Sequence, residues 1–263
     1  MPAFYAHHYF GQKVAEQLSD DLKAIVMKYE SDFRIGLQGP DLLLYYQPHH
    51  QNRVADYGLH IQEVSAYPFF RNAIKLLKKY GRDSHEYAYI LGVICHYILD
   101  SECHPYIEKK SKELGILHQD IEQEFEKSLM RSENLDPFEY PLSELIPTDD
   151  RTAVSVYPFY KNMNPVIIRQ ALKDFKMVKK LLNVSGKKRQ SFVHMAINKI
   201  NHRDYLKGLM YKFEDNPLCQ TSNRGLKLRL DTAVAVAVKM ILSFDESLTT
   251  SKELDRRFNR TFS

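Results

Sequence analysis

Residues 84–105, Ser-His-Glu-Tyr-Ala-Tyr-Ile-Leu-Gly-Val-Ile-Cys-His-Tyr-Ile-Leu-Asp-Ser-Glu-Cys-His-Pro, decide how this chain of 263 residues is built. Ser84 to Cys103 reads as the most apolar helix of the first half. Its apolar run, Tyr87 to Leu99, is interrupted by His96 and is shorter than the roughly 20 residues a bilayer requires. The helix is therefore expected inside a protein core, where it carries two polar side chains. Residues four apart on a helix lie one turn above each other, so His96 and Asp100 project from one face and can grip one cation. A buried carboxylate is costly unless it is paired or bound to metal. Pro105 disfavours helical geometry at His104, so that imidazole is expected to leave the helix end and point away from the His96 face.

The chain on either side also reads as helical. Phe10, Val14, Leu18, Leu22, Ile25 and Val26 keep helical spacing from Phe4 to Tyr29, and the turn Gly36-Leu-Gln-Gly-Pro-Asp41 follows. Gln47 to Asp56 is polar and loop-like, and His60 to Tyr80 is a helix closed by Gly81. Another helix is expected from about Leu117 to Met130. Pro137, Pro141 and Pro147 lie among acidic residues and mark 131–150 as a loop. Helices resume over about Asn164–Leu182, Lys188–Phe213 and Gly225–Leu248, the last with an apolar face of Leu228, Ala235, Val238 and Leu242. No repeat and no run of alternating strands appears. The expectation is one all-α domain over residues 1–263, with a chemically active first half (1–130), a Pro-rich acidic loop (131–150) and supporting helices (151–263).

Composition agrees with this class. Hydrophobic residues make up 44% and charged residues 27%, which excludes disorder as the overall state, and the small number of glycines, 10, favours helices over turns. The formal charge of +4 permits nucleic acid as a partner without requiring it. The basic clusters Lys187-Lys-Arg189 and Arg256-Arg-Phe-Asn-Arg260 read as solvated surface. Cys95 and Cys103 would lie about 12 Å apart along one helix, too far for a disulfide, and read as reduced core thiols. The first residues lack the basic and apolar regions of a secretory signal, so a cytoplasmic location is expected, with no membrane span.

Histidine is concentrated in the first half: nine of the eleven lie within the first 118 residues, which implies a local demand for imidazole. His118 and Glu122 repeat the four-residue spacing of His96 and Asp100 with nitrogen and oxygen ligands that suit zinc. With His104, His60, Asp41 and His7, they offer two ions enough ligands to leave a water position between them. His8 competes with His7 for the same role. Glu126, one turn beyond Glu122, reads either as an acceptor behind a ligand imidazole or as a surface carboxylate. His49, His50, His85, His194 and His202 are assigned no function.

The ordered set Tyr5-Ala-His7, Gly36-Leu-Gln-Gly-Pro-Asp41, Leu59-His60, His96-Tyr-Ile-Leu-Asp100-Ser-Glu-Cys-His104-Pro-Tyr and His118-x-x-x-Glu122 resembles the zinc-dependent phospholipase C family, over about the first 130 residues. Fungal single-strand nucleases share that helical metal-binding fold. The resemblance implies a multi-helix bundle with its metal cluster in the N-terminal half and two zinc ions. Asp41, His60, His96 and Asp100 would surround one ion, and His104, His118 and Glu122 the other. His7 corresponds to a histidine of a third site, with Asp100 shared between ions; secreted members complete that site with an N-terminal tryptophan, and this chain has no Trp.

The activity so implied is metal-dependent hydrolysis of phosphoric esters, on a small phosphoester or phospholipid-type substrate, with Asp41 orienting the attacking water or accepting its proton. Two readings compete with it. A nuclease-like phosphodiesterase would need an aromatic base-stacking pocket, with Tyr45, Tyr46 or Phe69 as candidates. A helical binding or scaffold protein would use zinc as a staple with closed four-ligand coordination.

Overall fold

In the computed structural model, which describes residues 4–183, 186, 195, 208–250 and 252–262, no strand occurs among the described residues. The helices are α1 (Phe4–Ala15), α2 (Asp20–Lys28), α3 (Glu30–Gly36), α4 (Arg53–Glu63), α5 (Tyr67–Tyr80), α6 (His85–Leu114), α7 (His118–Ser132), α8 (Asp150–Val156), α9 (Pro165–Leu182) and α10 (Gln220–Thr250). Short 3-10 turns join them, among them Gly39–Tyr45. The fold is all-α.

Helix α6 is the axis. Ser84 caps its start, its hydroxyl accepting the Tyr87 N–H, and Gly115 at φ 63° closes its end. Every residue from Tyr87 to Asp100 is buried, because α1, α3, α5, α7, α8 and α10 surround it. At Gly36 and Gly92 the backbones of α3 and α6 touch: a Cβ on Gly36 would lie 2.2 Å from the Tyr89 carbonyl oxygen, and one on Gly92 2.2 Å from that of Phe33. This approach seats the turn after α3, which carries Asp41, directly against α6. Polar side chains pin the axis as well. Tyr87 donates to Asp245 at 2.5 Å, Tyr97 donates to the Arg257 carbonyl at 2.5 Å, and His85 meets the buried Asp32 at 2.6 Å.

The structure departs from the sequence reading in four places. The expected Phe4–Tyr29 helix is two helices separated at residues 16–19, and the expected His60–Tyr80 helix is split at residues 64–66. The second begins inside the supposed loop, since Asn52 accepts the N–H groups of Val54 and Ala55 as an N-cap. Gly81, at φ 82°, does close α5. Pro105 does not end α6, which continues to Leu114 with proline inside. A proline here withdraws the donor for the Ser101 carbonyl and costs about 3 kcal/mol, which burial of Cys103, His104 and Ile107 beside it offsets. The fourth departure is the packed face of α10, formed by Leu226, Leu230, Ala233, Val234, Ala237, Met240, Ile241 and Phe244; Leu228 and Leu242 are exposed instead. The sequence reading had the right period and the wrong phase.

Most of the expected Lys188–Phe213 helix, with His194, His202 and Lys187–Arg189, lies outside the described residues. The other basic cluster is not simply solvated: Arg257 pairs with Glu102. Among the described residues no helix is long and apolar enough to cross a membrane.

Candidate metal centre

Because α6 stays helical through Pro105, His96, Asp100 and His104 occupy three successive turns of one face, and Asp100 lies between the two imidazoles. Its carboxylate is 3.3 Å from His96 Nε2 and 3.8 Å from His104 Nε2. Helix α1 crosses here and brings His7 Nε2 to 3.2 Å from Asp100 Oδ1, with the His7 and His96 rings stacked at 4.4 Å. The 3-10 turn after α3 supplies Asp41. His7, Asp41 and His96 each present a ligand atom within 4.8 Å of the others. Gly39, at φ 49°, makes this possible, since a Cβ there would lie 2.4 Å from the His96 ring.

The proton position on His96 explains why its close contact with Asp100 is not a hydrogen bond. His96 Nδ1 lies 3.2 Å from the Leu37 carbonyl oxygen, which can only accept, so Nδ1 carries the proton and Nε2 presents a lone pair. That lone pair faces a carboxylate. His96 Nε2, both ring nitrogens of His7, and both oxygens of Asp41 and of Asp100 are buried with no hydrogen-bond partner. Seven acceptor or donor atoms without partners in one place would cost several kcal/mol if nothing satisfied them. Converging lone pairs of nitrogen and carboxylate oxygen are the donor set of zinc, and a cation among them removes the penalty.

Burial acts on charge in the same direction. It lowers His7, His96 and His104 to about 3, so all three imidazoles are neutral and able to coordinate at neutral pH. Burial, with the Asp100 charge added, pushes the Asp41 carboxyl well above the usual carboxylate range.

A second group lies one turn further along α6. His104, His118 and Glu122 also present ligand atoms within 4.8 Å of one another. The last two come from the first turns of α7, with His118 Nε2 at 2.9 Å from Glu122 Oε1. Side-chain exposure here is 10% for His104, 29% for His118 and 10% for Glu122, against 1% or less for His7, His96 and Asp100. This outer group is the more exposed of the two.

A family model described as zinc-dependent phospholipase C matches residues 6–183. The chain belongs to that family. The match covers more than half of the chain and contains every residue of both groups, running past the first 130 residues to the end of α9. No curated protein and no solved structure matches the chain. In this zinc-dependent phospholipase C family member the ion named by the family suits the nitrogen and oxygen donors found here.

Of the eight residues read from the sequence as ligands, seven are brought together: His7, Asp41, His96 and Asp100 in the deep group, and His104, His118 and Glu122 in the outer one. His60 is not. It is exposed on α4, whose buried positions are Gly58, Ile61 and Gln62. His7, which the resemblance implies for a third site, lies against Asp100 with its ring stacked on His96. His104 stays on the His96 face, contrary to the reading from Pro105, since the helix is not broken.

His8 faces away from the centre and lines a large open pocket between α1, α2 and α3. Asp41 sits in a short 3-10 helix, where no regular helix was expected. Glu126 is neither behind a ligand imidazole nor on the surface. It is fully buried and accepts from the Tyr5 backbone N–H and the Tyr211 hydroxyl, so it anchors the first turn of the helix that carries His7. Tyr45 is stacked on Phe175 at 3.8 Å, and Phe69 is packed against Phe70 and Tyr160, so neither ring is free on the deep side of the site. Lys179, which the sequence reading passed over, is buried beside this centre. Its only sequence signal was its place in the last turn of an amphipathic helix.

Proposed function

We propose that this protein hydrolyses phosphoric esters in the manner of a phospholipase C, at a two-zinc centre held by the deep and outer groups with Asp100 between them. The observation that carries the reading is the convergence of unpartnered, buried lone pairs on His7, Asp41, His96 and Asp100 beside a more open second group. Zinc held there would lower the pKa of water toward neutrality and offset charge on phosphoryl oxygens. Asp41, kept ionised by that cation, would take a proton from the attacking water as the water oxygen bonds to phosphorus, and would pass that proton to the alcohol oxygen as the ester P–O bond breaks. His96 is held in one tautomer by the Leu37 carbonyl, and Asp100 is fixed between His96 and His104, so neither reorganises during the step. Access on the His104 and His118 side suits a phosphodiester of a lipid or a small molecule. Three free, buried cysteines support a reducing, cytoplasmic setting.

Asp41→Asn tests this reading. The variant is expected to keep most of the fold and much of its zinc while losing on the order of a hundredfold or more in hydrolysis of a chromogenic phosphodiester, the scale of general-base loss. Equal rates for wild type and variant would remove Asp41 from the mechanism. No turnover of any phosphoester by a zinc-loaded wild type would favour a structural staple.

A further inference from the structure

Among the described residues two lysines are buried, and they differ in their company. Lys127 is fully buried, with its Nζ at 2.8 Å from the Lys212 carbonyl, from Asp215 Oδ1 and from Glu124 Oε1. That is the usual condition for a charge removed from water. Lys179, in the last turn of α9, is only 7% exposed, and among the described residues its Nζ has no hydrogen-bond or ion-pair partner. Its recorded neighbour is the face of the Phe4 ring, 5.1 Å from Nζ to the centroid. Placement at a helix C-terminus favours a cation by a few tenths of a kcal/mol to about 1 kcal/mol, which does not explain burial without a partner.

The surroundings supply the explanation. Lys179 lines a cavity of about 40 Å³ together with Glu122, Glu126, Gln38, Gln119 and Gln123. Glu122 belongs to the outer ligand group, and the charge of Asp41, from the deep group, acts on Lys179 along with that of Glu126. The cavity holds a few waters or the oxygen face of a phosphoryl group, and is too small for an acyl chain. Its amide side chains can orient oxygen atoms. Glu126, the nearest carboxylate by its effect, is already engaged by Tyr5 and Tyr211.

Building on the phosphoric-ester reading above, we propose that Lys179 is the anion-binding group of the site, its ammonium meeting a non-bridging oxygen of the phosphoryl group under attack. The substrate thereby supplies the hydrogen-bond partner that Lys179 lacks among the described residues, and its phosphoryl group is drawn into the cavity beside Glu122. The lysine holds the oxygen throughout and moves no proton.

The experiment uses zinc-loaded wild type with Lys179→Gln, Lys179→Met and Lys179→Arg; the two neutral replacements differ in polarity so that at least one retains the fold. Zinc content, the affinity for inorganic phosphate by calorimetry, and kcat/KM on a chromogenic phosphodiester are read for each. Neutral variants are expected to keep their zinc and to lose about tenfold or more in both phosphate affinity and kcat/KM, the scale of a hydrogen bond to a charged group. Lys179→Arg should recover part of each loss. Phosphate affinity and kcat/KM within twofold of wild type in a folded neutral variant would overturn the proposal and leave the hydrolase reading intact, as would a loss of stability alone, which marks Lys179 as a counter-charge to Glu126. If the wild type turns over no phosphoester, the hydrolase reading fails and phosphate binding decides separately: affinity lost with the lysine sustains the anion site, and affinity unchanged or absent in the wild type removes it.

Discussion

The two ligand groups use the same residue types along one face of α6 and differ in what surrounds them. In the deep group, both ring nitrogens of His7, His96 Nε2 and the carboxylate oxygens of Asp41 and Asp100 are sealed from water and converge with no hydrogen-bond partner. In the outer group, His118 and Glu122 already bond each other at 2.9 Å, and His118 is 29% exposed. No atom of the outer group is buried without a hydrogen-bond partner, while seven atoms of the deep group are. In the proposed two-zinc centre, a cation is therefore expected to be coupled to folding in the deep group and to substrate access in the outer one.

Asp100 lies between the groups and should give the largest effect. Asp100→Asn is expected to lose zinc from both groups and to lower stability by about 3–5 kcal/mol, because a buried charge arrangement is broken from its centre. Zinc content and thermal unfolding of the purified variant measure both. If the variant kept one tightly held ion and the wild-type melting temperature, the two groups would be independent and Asp100 would not be shared.

Acid sensitivity of the metal-free protein comes next. His7, His96 and His104 have their pKa lowered to about 3 in the folded state, against an ordinary value near 6.5 in the unfolded chain. Between those values the unfolded chain binds more protons, so stability rises with pH across this window. It is complete above about pH 6.5 and is lost as pH falls toward 3, by up to about 1.4 kcal/mol per histidine per pH unit. Urea unfolding of chelator-treated protein at pH 7.5 and pH 5.5 should show the lower midpoint at pH 5.5. Equal midpoints would mean that burial does not hold these imidazoles neutral.

The smallest structural effect is expected in the outer group. His118→Ala should remove one ion and cut phosphodiester hydrolysis by about tenfold to a hundredfold, with unfolding free energy changed by less than about 1 kcal/mol. His60→Ala is the matched control on an exposed helix face, and neither zinc content nor hydrolysis should respond. A zinc loss in His60→Ala equal to that in His118→Ala would return His60 to the centre.

The difference between the groups also marks how far the sequence could be read. Spacing of three and four residues identifies which side chains share a helix face, so His96 with Asp100 and His118 with Glu122 were legible, as was the all-α class. Contacts between elements were less so. Nothing local to Leu59-His60 shows that α4 turns this imidazole to solvent, because that depends on Gly58 and Ile61 packing inward. The effect of Pro105 was misread for a related reason: a local penalty of about 3 kcal/mol is visible in the sequence, and the tertiary burial that overrides it is not. Leu228 and Leu242 show that a correct period still leaves the phase of a helix open when apolar residues occupy both faces. Lys179 was invisible because a lysine in the last turn of a helix is ordinary until its surroundings are known.

The two proposed cation positions differ in depth, and zinc stoichiometry under graded chelation distinguishes them. Purified wild-type protein is expected to hold two zinc ions per chain, to release one at low chelator concentration with loss of phosphodiester hydrolysis and little change in melting temperature, and to release the second only at much higher concentration together with a large fall in melting temperature. A protein that is fully folded and thermally unchanged with no metal bound would contradict the account, because the buried lone pairs of His7, Asp41, His96 and Asp100 would then need no cation.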